Sequence, residues 1–261
     1  MDFTGIVGLA AGAALIFYGI TNGNDLDAIR NFISGPALAI TLGGTAASAL
    51  IAFPLSSFRK IPAQIRIAAR KNPYDPKRTV AAVVGLAQEA RQKGLLSLEK
   101  TAEEIKDPFL KESVLLIVDA IDPEKVKQML EDELDLLDER HEQGWRFYEK
   151  SAAFAPAFGM IGTLIGLINM LGHLNMDSNE GVAALGQGMA VALTATFYGT
   201  LLSSLVLLPL CHRLRVRHEE ERLCKEIIAR GVAAIQAGEN PGRVERRLNA
   251  FLHEKERTRK A

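Results

Sequence analysis

The 261 residues balance 31 Lys and Arg against 31 Asp and Glu, for a formal net charge of +0, and 48% of them are hydrophobic. Those averages describe an ordinary soluble protein, but the charges are placed so unevenly that the local windows exclude that class. The only two cysteines, Cys211 and Cys224, fall in or near a basic segment read as cytoplasmic, where thiols stay reduced, so no disulfide is expected.

Residues 3 to 20, 33 to 53, 152 to 172 and 182 to 210 contain almost no ionisable side chain. Each run is long enough to cross a hydrocarbon core of about 30 Å as a helix. Only Met1 and Asp2 precede the first run, with no positive stretch, and nothing after Tyr18 reads as a small-residue cleavage site. The run is therefore expected to stay in place and not to be removed as a secretion signal.

Basic residues set the orientation. Arg59, Lys60, Arg66, Arg70, Lys71, Lys77 and Arg78 follow the second run, and Arg213, Arg215 and Arg217 follow the fourth. The connections 22–32 and 172–181 hold Arg30 as their only Lys or Arg. Positive flanks stay inside, so both termini are expected in the cytoplasm. The fold expected is an all-α, polytopic membrane protein with four transmembrane helices and a helical cytoplasmic domain between the second and third. Its segments are a transmembrane hairpin (1–56), the cytoplasmic domain (57–150), a second transmembrane hairpin (151–210) and a charged cytoplasmic tail (211–261).

Within the cytoplasmic domain, Asp75-Pro76, Asp107-Pro108 and Asp122-Pro123 each place an N-capping side chain before a proline suited to a first helical turn. Gly94 is positioned to end the first of these helices, and Leu95, Leu96 and Leu98 open a new apolar pattern. The acidic cluster Glu131, Asp132, Glu133, Asp135, Asp138 and Glu139 lacks the glycine of a calcium-binding loop. Leu130, Leu134 and Leu137 recur through it at helical spacing, which reads as a solvated amphipathic helix. Trp145, Phe147 and Tyr148, interleaved with Arg146 and Lys150, suit a membrane interface. No basic groove surrounds them, so nucleic acid is not an expected partner.

Lipid satisfies no polar group, so the polar and small residues of a span report what its face meets. Gly5, Gly8 and Gly12 in the first run, and Gly159, Gly162 and Gly166 in the third, form faces that allow close helix approach. Thr163 in the third run, and Thr194 and Thr196 in the fourth, carry hydroxyls with two open readings. They meet water or a small cation, or each bonds its own i−4 carbonyl. Pro156 and Pro209 each free a backbone carbonyl or simply kink a helix.

No run carries Asp, Glu, Lys, Arg or His at membrane depth, although ion carriers need such a group. If the chain moves ions, another polypeptide supplies the carboxylate. His173, Asp177 and Glu180 have metal-like spacing but lack a fourth ligand, so no metal is expected. No phosphate-binding glycine loop, nucleophile elbow or zinc motif occurs, so neither an enzyme nor an ATP-driven pump is expected. No cofactor is expected.

Three stretches carry a family resemblance: DPFLKESVLLIVDAIDPEKVKQML from Asp107, APAFGMIGTLIGLI from Ala155 and GMAVALTATFYGTLLSS from Gly188. They resemble the A-subunits of bacterial flagellar stators, the MotA and PomA family, within the MotA/TolQ/ExbB superfamily. The resemblance implies a stator subunit of the bacterial inner membrane that turns ion motive force into torque. Five copies would surround two copies of a single-span MotB-type subunit, whose intramembrane aspartate supplies the missing acid. It implies an ion pathway at Thr163 and Thr196, functional prolines at Pro156 and Pro209, and rotor contacts from Arg91 and Glu99 to the switch protein FliG. Sodium-type relatives carry adjacent threonines where this chain has Thr194-Ala195-Thr196. That difference leans toward transported protons, with sodium open if Thr194 turns its hydroxyl to the site. The alternatives are an ExbB/TolQ-like energiser of outer-membrane transport, which has three spans, and a structural scaffold whose threonines only pack helices.

Overall fold

The computed structural model describes residues 3–21, 26–70, 72–172, 179–252 and 254. Among them every regular element is helical. In chain order these are α1 (Phe3–Thr21), a 3-10 turn (Leu26–Phe32), α2 (Gly35–Leu38), a π-helical turn (Ala39–Gly43) and α3 (Gly44–Ala52). Then come α4 (Leu55–Ala69), α5 (Pro76–Lys93), a 3-10 turn (Leu95–Ser97), α6 (Leu98–Glu104) and α7 (Pro108–Val118). The long α8 (Pro123–Gly172) is followed by α9 (Asn179–Leu201), a second π-helical turn (Leu202–Leu207), α10 (Leu208–Gln236) and α11 (Pro241–Asn249).

The chain divides into two compact units, residues 1–71 with 143–215 and residues 72–142 with 216–261. In the first unit, three helical runs of the described residues are long and apolar enough to cross a membrane: Gly35–Ala52, a window within Pro123–Gly172, and a window within Leu185–Gln236. The described apolar part of α1, Val7–Thr21, is shorter than that standard. Leu15, Ile51, Ile168 and Leu193 point outward with more than half of their surface exposed, the distribution of a protein whose solvent is hydrocarbon or a neighbouring helix. Phe147 and Tyr148 are buried and pack with Phe53, Phe58 and Ile61. Phe147 meets Phe53 and Phe58 edge to face with centroids 5.1 Å apart in each pair, and the Tyr148 hydroxyl donates to Gln64 Oε1 at 2.9 Å. The aromatic cluster therefore fastens α4 to α8 and does not form an exposed belt.

The second unit has its own apolar core, in which Val83, Leu98, Val114, Ile117, Val126, Ile227, Ile228, Val232 and Val244 are almost wholly inaccessible. Its helix starts follow the sequence. Asp75 accepts from Lys77 N and Arg78 N, and Asp107 from Phe109 N and Leu110 N. Asp122 accepts from Glu124 N at 3.0 Å. Gly94 ends α5 at φ +88°, a conformation that a side chain disfavours. Between α8 and α10 of this unit, His141 Nδ1 and His218 Nδ1 lie 3.1 Å apart. Asp138 Oδ1 sits 3.4 Å from His218 Nε2, yet it receives no hydrogen bond.

Of the three boundaries between the units, one falls between α4 and α5 and the other two fall inside α8 and α10. Hydropathy changes sharply near residues 150 and 210, yet helix continues past both places, through Pro156 and Pro209.

Candidate functional site: a hydroxyl pair on a glycine seam

Backbone proximity builds the site. On α8, Gly159, Gly162 and Gly166 share one face and are buried. A Cβ added at Gly162 would stand 2.4 Å from Ala195 Cβ, and one at Gly166 would stand 2.7 Å from Gly188 O. At Gly159 it would come within 3.1 Å of Ala195 O and Thr196 Cα. From the opposite side, a Cβ on Gly199 would lie 2.5 Å from Ala155 O. Only glycine at these points lets α8 and α9 approach so closely, which is how small residues act in membrane helix packing.

That approach brings Thr163 and Thr196 together. Their hydroxyl oxygens are 2.5 Å apart. Thr163 Oγ1 also reaches Gly159 O and Ala192 O, both at 3.1 Å. Thr196 Oγ1 reaches the same two carbonyls at 3.4 and 3.3 Å. Two hydroxyl protons and four oxygens are thus gathered at one point, and the two carbonyls are also the acceptors of ordinary helical N–H groups. Each of the two bonds its own i−4 carbonyl, and each also faces the other across the seam. Thr163 is half-buried and Thr196 exposed, so spare lone pairs open onto the outer surface of the chain. Such a surface can solvate a water, a hydronium or a small hard cation. It cannot titrate, since no Asp, Glu, Lys, Arg or His lies between Ser151 and Gly172 or between Leu185 and Leu210.

Thr194 is placed elsewhere. It is buried, and its hydroxyl donates within its own helix, to Ala190 O at 2.6 Å with Val191 O at 3.3 Å. Ala195 is wholly buried, with its Cβ facing Gly162 and its carbonyl accepting from Thr41 Oγ1 at 3.2 Å. Thr41 stands in the first π-helical turn and is itself fully buried. Sequence reading passed over Thr41, because the same run also offers Ser34, Thr45 and Ser48 and nothing local singles one of them out.

Pro156 lies within α8 and has no N–H for the carbonyl four residues back, which is that of Ala152. The structure supplies a donor: Ser203 Oγ donates to Ala152 O at 2.7 Å, and both residues are buried. Ser203 sits in the second π-helical turn, two residues into the widened stretch, so each π turn presents one buried hydroxyl to a carbonyl of another helix. π turns recur at functional sites because they redirect side chains in this way. Ser203 was also unforeseen, since its role appears only once Ala152 O is seen to lack its helical donor. Pro209 is exposed at the second position of α10, just past that π turn.

Arg91 in the last turn of α5 and Glu99 in the first turn of α6 are both exposed, on either side of the Gly94 turn. They belong to the second unit and are not among the residues that build the hydroxyl pair. His173 and Asp177 lie outside the described residues, as does the side chain of Glu180. Among the described residues no group of three His, Cys, Asp or Glu is arranged to hold a metal.

Residues 101–226 match the model of the MotA/TolQ/ExbB proton channel family. The chain is 38% identical over 255 residues to the uncharacterised protein YtxD of Bacillus subtilis, covering 98% of this chain and 92% of that one. It is 40% identical over 219 residues to Motility protein A of Borreliella burgdorferi, covering 84% and 82%. Its fold superposes on a chain of the flagellar MotAB stator complex from Bacillus subtilis with a TM-score of 0.83, 26% identity and coverage of 98% and 97%.

Proposed function

From the premise that the chain belongs to the MotA/TolQ/ExbB proton channel family, we propose that it is the A-subunit of a flagellar motor stator and forms an ion channel that converts ion motive force into torque. The observation that carries the reading is the Thr163–Thr196 hydroxyl pair, which sits on a charge-free wall and opens outward. A pathway wall without a proton acceptor works only beside a chain that has one. A single-span MotB-type subunit with an intramembrane aspartate meets that need, and five copies of this chain around two such helices would enclose it. Each cycle of protonation and release at that carboxylate would change its attraction to the hydroxyl pair and step the ring. One elementary charge crossing 100 mV supplies about 2.3 kcal/mol, several times thermal energy.

In this reading four helices cross the inner membrane and both termini face the cytoplasm. The span count takes support from the charge-free runs and the orientation from the basic flanks. Pro156 and Pro209 would give α8 and α10 their points of flexure, and exposed Arg91 and Glu99 would meet complementary charges on FliG, setting register and encounter. Ala195 brings no side-chain oxygen, and Thr194 keeps its hydroxyl on α9. Only two hydroxyls then face the path, which favours protons over sodium.

The test is to purify the chain from membranes with whatever it retains, and to count copies by native mass spectrometry. A five-to-two complex with a single-span protein carrying a membrane-depth aspartate supports the reading. A chain that is isolated alone and conducts ions alone would overturn it.

A further inference from the structure

α4 is the one helix among the described residues that combines a basic, acid-free sequence with an exposed apolar face. Its inner side, Phe58, Ile61, Gln64 and Ala68, packs on the aromatic cluster or is buried. On the outer side Leu55 and Ile67 are 62% and 54% exposed, and Ile65, on the stripe of Phe58, is 48% exposed. Arg59, Arg66 and Arg70 recur at i, i+7 and i+11, which puts them in one stripe of the helix surface beside Leu55 and Pro62. All three are exposed.

The surroundings repeat the pattern. Residues 55–70, 143–151 and 211–215 of the first unit contain eight Lys and Arg (Arg59, Lys60, Arg66, Arg70, Arg146, Lys150, Arg213 and Arg215) and one acid, Glu149. Glu149 is already engaged by Arg215 at 3.5 Å. α4 begins three residues after α3, the end of a run long and apolar enough to span the membrane. It is thereby tethered at the level where hydrocarbon gives way to headgroups. An apolar strip flanked by arginines, at that level and without acids, has the chemistry of a helix lying in the interface over anionic lipid.

We propose that the outer face of α4 is a binding site for anionic phospholipid, with Arg59, Arg66 and Arg70 holding headgroup phosphates while Leu55, Pro62 and Ile67 enter the acyl boundary. Guanidinium forks suit phosphate oxygens better than ammonium groups do, and a phosphate within hydrogen-bond reach is held by charge-assisted bonds. The inference rests on the membrane placement of the chain and needs no motor.

Trp145, the only tryptophan, packs in the same aromatic cluster as Phe58 and Ile61 and reports on the lipid next to α4. The full chain is reconstituted in phosphatidylcholine vesicles containing a fraction of brominated phosphatidylglycerol or, separately, brominated phosphatidylcholine, and quenching of Trp145 is compared. Phosphatidylglycerol is expected to quench more strongly at equal mole fraction. Each of Arg59→Gln, Arg66→Gln and Arg70→Gln should lower that selectivity by up to about fivefold, whereas Arg66→Lys should retain most of it. Equal quenching by the two lipids in the unaltered chain would overturn the proposal. So would selectivity that survives the triple glutamine variant, or a triple variant that changes only the oligomeric state, which would assign the face to a second copy of the chain. Failure here leaves the copy-counting result untouched, so the two readings fail separately.

Discussion

Replacing Thr196 by valine separates an ion-path role from a packing role, because it keeps the shape and removes one hydroxyl. In the structure that hydroxyl touches Thr163 Oγ1 at 2.5 Å, Ala192 O at 3.3 Å and Gly159 O at 3.4 Å. Thr163 keeps both carbonyls at 3.1 Å after the change, and Thr196 is exposed, so no buried polar group is orphaned. The loss to stability is then at most that of one ordinary hydrogen bond, about 1 kcal/mol. An ion or hydronium crossing the site loses a charge-assisted partner instead, worth about 1.5–3 kcal/mol, which slows that step roughly tenfold to a hundredfold. The assay pairs the thermal stability and copy ratio of the purified complex with rotation of tethered cells that carry this stator alone. Thr196→Val is expected to assemble normally and turn slowly or not at all, while Thr196→Ser keeps most of its torque. Full rotation in the valine variant would refute the pathway, and lost assembly would show that the hydroxyl serves the seam. A double cycle with Thr163→Val should be strongly non-additive, since the two oxygens act as one unit.

Ser203→Ala should lower stability by about 1–3 kcal/mol, because it strands the carbonyl of Ala152 in a buried place where Pro156 offers no N–H. Most of that loss should vanish in a Pro156→Ala background, where the helix regains its own donor; equal melting shifts in both backgrounds would refute the coupling. Gly199→Ala should destabilise by about 1–3 kcal/mol through overpacking, since the added carbon would lie 2.5 Å from Ala155 O, whereas Gly186→Ala meets nothing within 4 Å and should behave as the unaltered chain in the same thermal melts. In the second unit, burial lowers His141 and His218 below the usual histidine range, with Asp138, Glu219 and Glu221 opposing it and Arg140, Lys225 and Arg222 adding to it. The unfolded chain therefore takes up protons first, so stability is full above about pH 6.5 and declines as pH falls toward the lowered folded values. Melting temperatures recorded across that range should fall on acidification, and His141→Gln should flatten the fall; an unchanged slope would refute the assignment.

How much of this was legible in the chain follows from how local each signal is. The Asp-Pro starts of α5, α7 and α8 and the stop at Gly94 are set by neighbours in sequence, so reading along the chain finds them. The charge-free runs are equally local, and they yield an all-helical fold with membrane-crossing helices. The continuity of α8 from Pro123 to Gly172 is a different matter. A change from charged to apolar residues looks like a boundary, yet the backbone sees no breaker there and Gly144 alone does not interrupt it. The two threonines of α9 show the limit most clearly. Thr194 and Thr196 stand about 200° apart around a helix, so at most one can face α8. The sequence offers both hydroxyls equally, and the face is decided by Gly159, Gly162 and Gly199, which draw the backbone of α9 in beside Thr196. Ser203 is less legible still, because it acts on a vacancy created by Pro156, across helices and 51 residues from the carbonyl it serves. The membrane enforces that pairing. A proline in a membrane helix is tolerated where a neighbouring helix presents a donor to the freed carbonyl, and the second π-helical turn places Ser203 at that point.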